Sequence, residues 1–534
     1  MLVAFLATLA ACARKEETPA PAAPVGGAAP TDTGQITAVY CTDTSVTAPC
    51  AKMPHDVPTQ AGYSTVNMVP AVQTEFDNFS WQSFVALNWP ANPDGSANGN
   101  ASLGSAGPTV FDYYKAANDV FLADGATPDS NYPTKNFPPP PAVCTQANTL
   151  TGGASPRVLT MSAKEDSNTN FTDSFNEAAV NVPLIDSNGN FVVYDVSMNR
   201  DEFQYIFGKG YYNSGNQPAA TVTDPAQVIS FPEGAIGGAE GAIELKSAWK
   251  ILGANDDASA YITRTMQIYI PTQLFCTPPL KMGLIGLHII HKTSHSNAWI
   301  WSSFEHVNNA PLSSTPLAAD AKQAAGQCAP PSNAQAMSLY NPQCTQQDGT
   351  PCPLNQPPSK PGQPIVWARQ QPYAKQYLTN GKYGTQVVRC SALYGPTETL
   401  NAQWQQKLPK PFSNYMLIGS QWFAASDFPP GGGTTPNQVT TVANATTYVN
   451  PDFPPNAIAA PPFLQNTAAE TYLQNGTTLQ GFTIGSCLGC HAGATGAQCE
   501  PADFSFILGR AKPRVKCQDE GHQRTFAALN AAHP

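Results

Sequence analysis

Lys281-Met-Gly-Leu-Ile-Gly-Leu-His-Ile-Ile-His-Lys292 and Ala298-Trp-Ile-Trp-Ser-Ser-Phe-Glu-His-Val307 are two apolar runs parted by a short polar break. Runs of this length joined by a tight turn predict neighbouring antiparallel strands. Upstream, Gly241–Leu252 alternates Ile243, Leu245 and Ser247 against Glu244 and Lys246, and Tyr261–Ile270 and Asn190–Met198 continue the strand pattern. Helical spacing appears in Phe76–Pro90, where Trp81, Phe84, Val85, Leu87 and Trp89 line up until Pro90 stops the helix. Further helices are predicted over Asp201–Tyr211, Glu398–Leu408 and, briefly, Leu464–Gln474, with a strand over Tyr415–Phe423. The fold class is therefore α+β: a β-rich main region over residues 37–460, built on an antiparallel sheet, and a small helical C-terminal segment over 461–534.

Composition narrows the function. Acidic residues outnumber basic ones by 37 to 27, giving a net charge of −10, so the clustered positive charge that nucleic acid requires is missing. No apolar run approaches the roughly 18 residues of a membrane span. Proline and glycine, at 51 and 40 positions, imply many loops. Residues 308–365, rich in Pro, Gln, Ala and Ser, are expected to form a long excursion pinned by disulfides. Gly234-Ala-Ile-Gly-Gly-Ala-Glu-Gly241 lacks the order of a phosphate loop and reads as a turn before a strand.

The N-terminus Met1-Leu-Val-Ala-Phe-Leu-Ala-Thr-Leu-Ala-Ala-Cys12 is an apolar run ending in small residues before a cysteine. It resembles the end of a bacterial lipoprotein signal peptide, although no basic residue precedes Arg14. The resemblance implies cleavage and lipidation at Cys12. Residues 13–36 then read as a Pro/Ala-rich tether, and Ala13 implies sorting to the outer membrane. The expected location is the cell envelope, with the chain lipid-anchored and facing the periplasm or the cell surface. Setting aside Cys12, Cys487 and Cys490 from the 13 cysteines leaves an even number, as an exported chain with up to five disulfides would have. Cys41–Cys50, Cys344–Cys352 and Cys499–Cys517 are candidate local pairs; spacing alone does not fix the connectivity.

Cys487-Leu-Gly-Cys490-His491 has the spacing of a c-type haem attachment site. Two thiols three positions apart can add to the two vinyl groups of one haem, and the adjacent histidine becomes the proximal iron ligand. A thioredoxin-like dithiol would need a βαβ context, and a structural zinc site two further ligands. Neither requires the histidine. One haem c is the expected cofactor. No methionine follows Met416, so the downstream methionine ligand of small electron-transfer cytochromes is absent. Residues 492–534 are too few for a complete small cytochrome fold, so the haem must lean on the preceding chain. The candidates for the sixth ligand are His288, His291 and His522.

Four histidines fall between Gly286 and His306: His288, His291, His295 and His306. On a strand, His288 and His291 face opposite sides. A hairpin could bring one of them near Glu305 or His306, the pairing that a general base or an oriented metal ligand requires. His288, His291, Glu305 and His306 are therefore the catalytic candidates. The alternative is a buried His–Glu hydrogen-bond network with a structural role.

Gly241-Ala-Ile-Glu-Leu-Lys-Ser-Ala-Trp-Lys250, Gly286–Lys292, Trp299–His306, Glu470-Thr-Tyr-Leu473, Ser486–His491 and Asp503-Phe-Ser-Phe506 resemble segments of a family of large exported bacterial proteins known as cytochrome c family. The resemblance covers scattered motifs between residues 75 and 515. It implies one c-type haem and an exported location, but no particular reaction. Three functions are open, one of them a surface-binding protein in which haem is only a structural element; the other two use its iron. One is electron transfer at the envelope with a redox partner protein. The other is a haem-dependent oxidase, peroxidase or oxygenase acting on a small molecule through an open distal site.

Overall fold

The computed structural model describes residues 49–57, 69–132, 140–150, 156–160, 184–219, 228–270, 274–317, 328–345, 349–355 and 386–425. It also describes the strand Arg14–Lys15, short strands between 439 and 483, most of 464–474, residues 487 and 491, and 494–513. A ten-stranded sheet organises them. Its strands are β1 (Lys115–Ala116), β2 (Arg157–Thr160), β3 (Val193–Met198), β4 (Ile243–Ile251), β5 (Thr263–Ile270) and β6 (Phe275–Cys276). The remainder are β7 (Leu280–Thr293), β8 (Ser296–His306), β9 (Tyr415–Ala425) and β10 (Ala457–Ala460). The order is β10-β9-β8-β7-β4-β3-β1, with β5 joining the start of β7 and carrying β2 and β6. All pairs are antiparallel except β2 with β5.

The expected hairpin is β7–β8, turning at Ser294 and His295 and pairing His288 with Ser303 and Ile290 with Trp301. β7 is buried from Met282 to Thr293, on both faces, which explains why its sequence is an almost continuous apolar run. A shift in register between Ala248 and Trp249 leaves Ile285 as the extra residue of β7 opposite β4. The Gly-rich stretch is a loop folded against the end of β7: Gly234 N donates to Lys292 O, and Ser294 N donates to Gly234 O.

One sheet face is covered by α1 (Val69–Leu87) and α3 (Gly395–Lys407). Trp81 of α1 stacks on Trp404 of α3 at 5.8 Å and meets Phe304 of β8 edge-on at 5.1 Å, while Phe84 stacks on Phe304 at 4.6 Å. Complete burial of Phe84 and Phe304 is worth about 1.5–3 kcal/mol for each ring. The indole nitrogens find acceptors within the same layer, Trp81 Nε1 on Asn401 and Trp404 Nε1 on Asn78.

The other face carries α2 (Arg200–Lys209) and the C-terminal segment. Asn199 caps α2 by accepting from Glu202 N, and Gly210 at φ 70° ends it. Phe203 and Ile206 of α2 share one apolar cluster with Ile290, Trp299 and Trp301 of the sheet and with Phe504, Ile507 and Leu508 of the tail. These tail residues thus share their core with the main region. Gly286 lets it approach: a Cβ there would lie 3.1 Å from Ala468 Cβ and 3.3 Å from Ala248 Cβ.

Among the described residues of the tail, 464–474 are less helical than their sequence suggests. In place of a helix over Leu464–Gln474, residues 467–470 are turns and bends, followed by one 3-10 turn, Thr471–Leu473. The groups that would build the helix are used elsewhere. Asn466 donates to Ser303 Oγ and Phe304 O, and Thr467 N and Oγ1 donate to the Glu305 carboxylate. A second 3-10 turn spans Ile507–Arg510.

Three disulfides join Cys144 to Cys276, Cys328 to Cys390 and Cys344 to Cys352. The latter two pin the Pro-rich excursion. Cys50 and Cys499 are also in disulfides; Cys41 and Cys517, their near neighbours in sequence, lie outside the described residues.

Candidate functional site

His491 and Cys487 are one helical turn apart in sequence, and both have helical backbone. The His491 ring packs on Trp301 at 4.2 Å between centroids and meets Phe506 at 5.0 Å. Its Nδ1 lies 2.8 Å from the Phe504 carbonyl oxygen. A carbonyl can only accept, so Nδ1 bears the proton and Nε2 keeps its lone pair. Burial is the main cause that pushes the imidazole pKa down to about 4, helped by the charges of Lys246 and His288 and opposed by the Phe504 hydrogen bond. A neutral imidazole with an oriented ring and a free Nε2 is what an iron ligand requires.

Cys487 is a free thiol packed against the same apolar cluster. Burial, and next the charge of Glu470, raise its pKa well above the ordinary thiol value. Cys490 lies outside the described residues.

The sheet beneath is polar in one row. Lys246 of β4, His288 of β7 and Ser303 of β8 are direct cross-strand partners and so share the face on which the tail lies. One pair along, the row is Glu244, Ile290 and Trp301. Glu470, from the turns of the tail, reaches down to this row, with its Oε2 3.4 Å from His288 Nε2. Burial would raise the Glu470 pKa, but His288, Lys246 and the Asn466 N–H together hold it below the ordinary carboxylate value. Lys246, His288, Glu470, Trp301, Cys487 and His491 therefore form one environment.

The remaining candidates go elsewhere. His291 faces α1, 5.3 Å from the Phe79 ring, and its Nε2 donates to the Glu240 carbonyl at 2.6 Å. Burial, the largest influence, brings its pKa down to about 4. His295 Nδ1 pairs with Asp56 at 2.8 Å. His306 stacks on Tyr261 at 4.2 Å, its Nε2 donates to Ala260 O at 2.9 Å, and its Nδ1 accepts from Asn308 N. Glu305 is held by Arg389 and Thr467. The expected meeting of His288 or His291 with Glu305 or His306 does not occur: Glu305 pairs with Gly286 across the hairpin, and an arginine from a distant strand takes its carboxylate. The carboxylate beside His288 is Glu470 instead. Among the described residues no three His, Cys, Asp or Glu side chains converge on a common metal position. His522 and Cys12 lie outside the described residues.

No protein-family model, curated protein or solved structure matches the chain. Its site must be argued from its own residues. Spacing assigns no role to Trp301, Lys246, Glu470 or Phe504, although all four lie within the segments Trp299–His306, Gly241–Lys250, Glu470–Leu473 and Asp503–Phe506.

Proposed function

We infer that this chain is a c-type haem protein, with Cys487 and Cys490 as the attachment thiols and His491 Nε2 as the proximal ligand. The observation that carries the reading is the His491 Nδ1–H···O=C bond to Phe504 on a neutral, half-buried ring. When bound, a haem supplies one-electron chemistry at its iron. The chain's own contribution is orientation and exclusion of water. Trp301 and Phe506 pack the His491 ring, and the sheet lies beneath it. Of the candidates for the sixth ligand, His288 is favoured over His291, because it shares the face on which His491 lies.

The role this supports best is electron transfer at the bacterial cell envelope, with a redox partner protein and with Cys12 as the lipid anchor to the outer membrane. The disulfides among the described residues support an oxidising compartment. Among the described residues no helix is long and apolar enough to cross a membrane. A second reading, a haem-dependent oxidase, peroxidase or oxygenase, is favoured by the approach of Glu470 to His288, since a histidine with a carboxylate within ion-pair reach can move a proton. A pyridine haemochrome spectrum tests for haem c. The EPR spectrum of the ferric protein then separates the roles: low-spin iron supports the carrier, and high-spin iron that binds cyanide supports the enzyme.

A further inference from the structure

Asp503 and Phe504 are consecutive non-glycine residues in the left-handed region, at φ 50° and 64°. Side chains with a Cβ rarely adopt it, and such backbone persists where its surroundings dictate it. Here they do. Asp503 Oδ2 accepts from Lys292 Nζ at 2.7 Å, both side chains being fully buried, and from Phe231 N at 2.7 Å. Trp299 Nε1 donates to Asp503 O at 2.9 Å. Ser505 Oγ donates to Glu244 Oε2 at 2.5 Å. Between these anchors stands the Phe504 carbonyl that takes the His491 proton. Sheet residues on β4, β7 and β8 thus fix both ends of the peptide that orients His491.

We propose that Lys292 is a positioning residue for the haem ligand, acting through Asp503 and the left-handed turn at 503–504 to hold the Phe504 carbonyl on His491 Nδ1, with Glu244 and Ser505 as the second anchor. The proposal rests on the haem reading above. Its chemistry is general: the carbonyl that accepts from a ligating imidazole sets ring orientation and basicity, and a more basic imidazole favours oxidised iron. A fully buried ion pair contributes little net stability compared with apolar side chains of the same size. A purely structural role can therefore be separated from a positioning one.

The test uses the full-length holoprotein and starts by confirming covalent haem in the wild type on a denaturing gel; its absence overturns the parent reading and this one with it. Midpoint potential and ferric EPR g values are then measured for Lys292→Met, Lys292→Arg and Ser505→Ala, and for Lys292→Met combined with Asp503→Leu. The expected result is retained covalent haem with a positive shift in potential and altered g values in Lys292→Met. The same sense and a smaller size are expected in Ser505→Ala, and values near wild type in Lys292→Arg. The double variant should regain melting temperature while keeping the shifted potential. Potential and g values unchanged in Ser505→Ala and in the double variant would overturn the proposal, whatever happens to the melting temperature. Should Lys292→Met fail to fold, these two variants still decide.

Discussion

His288 and His291, three residues apart on β7, point to opposite faces of the sheet: His288 toward Glu470 and the tail, His291 toward Phe79 of the first helix. In the reading proposed here, replacing His288 by alanine should convert low-spin ferric iron to high-spin. His291→Ala should leave the spectrum alone and instead cost about 1–3 kcal/mol of stability, since a buried polar contact with the Glu240 carbonyl is lost. Absorption spectra and urea titrations of the two variants check this. A spectral change in His291→Ala alone would reverse the assignment of faces.

Glu202 is fully buried, and among the described residues neither of its oxygens has a hydrogen-bond partner. Burial, then the charges of Glu244 and Asp503, raise its pKa well above the ordinary 4.5. The native state therefore holds a proton that the unfolded chain releases above about pH 4.5. This group costs nothing below that pH, and its penalty grows as pH rises, by at most about 1.4 kcal/mol per unit, until the native acid ionises. Glu202→Gln should stabilise the protein increasingly above pH 5 and have no such effect near pH 3. Denaturant midpoints measured from pH 3 to 8 would show the two curves diverging; parallel curves would mean that Glu202 is not held neutral.

The Cys144–Cys276 disulfide links residues 132 apart. In the chain-entropy model a loop of that size stabilises by about 4–5 kcal/mol, less any strain. Replacing both cysteines by alanine should lower the unfolding free energy by a comparable amount, as read from guanidinium titration. Equal stability of the two forms would remove this bridge from the account of the fold.

Gly286 is where the tail comes down on the sheet. A valine there must push against Ala468 and Ala248, an overpacking worth about 1–3 kcal/mol. Gly286→Val should open the 464–474 segment to limited proteolysis before the sheet unfolds. Cleavage confined to other segments would place the tight contact elsewhere.

Strands β4, β5, β7 and β8 were legible because their burial is written in local apolar runs and alternation. The first helix was legible because Trp81, Phe84 and Leu87 recur at its period. The third begins at Gly395, ahead of the expected Glu398, because Pro396 occupies its first turn, where no backbone donor is needed. The tail was not legible. Asn466, Thr467 and Glu470 look like ordinary polar positions of a short helix until the sheet supplies Ser303, Glu305 and His288 as partners. The same limit hid the carboxylate beside His288. The hairpin brings Glu305 opposite Gly286, but Arg389, from a strand that pairs outside the main sheet, captures it first. Partners distant in sequence leave no periodic trace.

The central claim is covalent haem at Cys487 and Cys490 beside His491. The most direct measurement is haem retention through acid–organic extraction and a denaturing gel, with the mass of the peptide containing Cys487–His491 determined alongside. The wild type should keep its haem on that peptide, and Cys487→Ala with Cys490→Ala should lose it. Wild-type protein from a host competent in haem attachment that yields freely extractable haem, or an unmodified peptide, would contradict the claim.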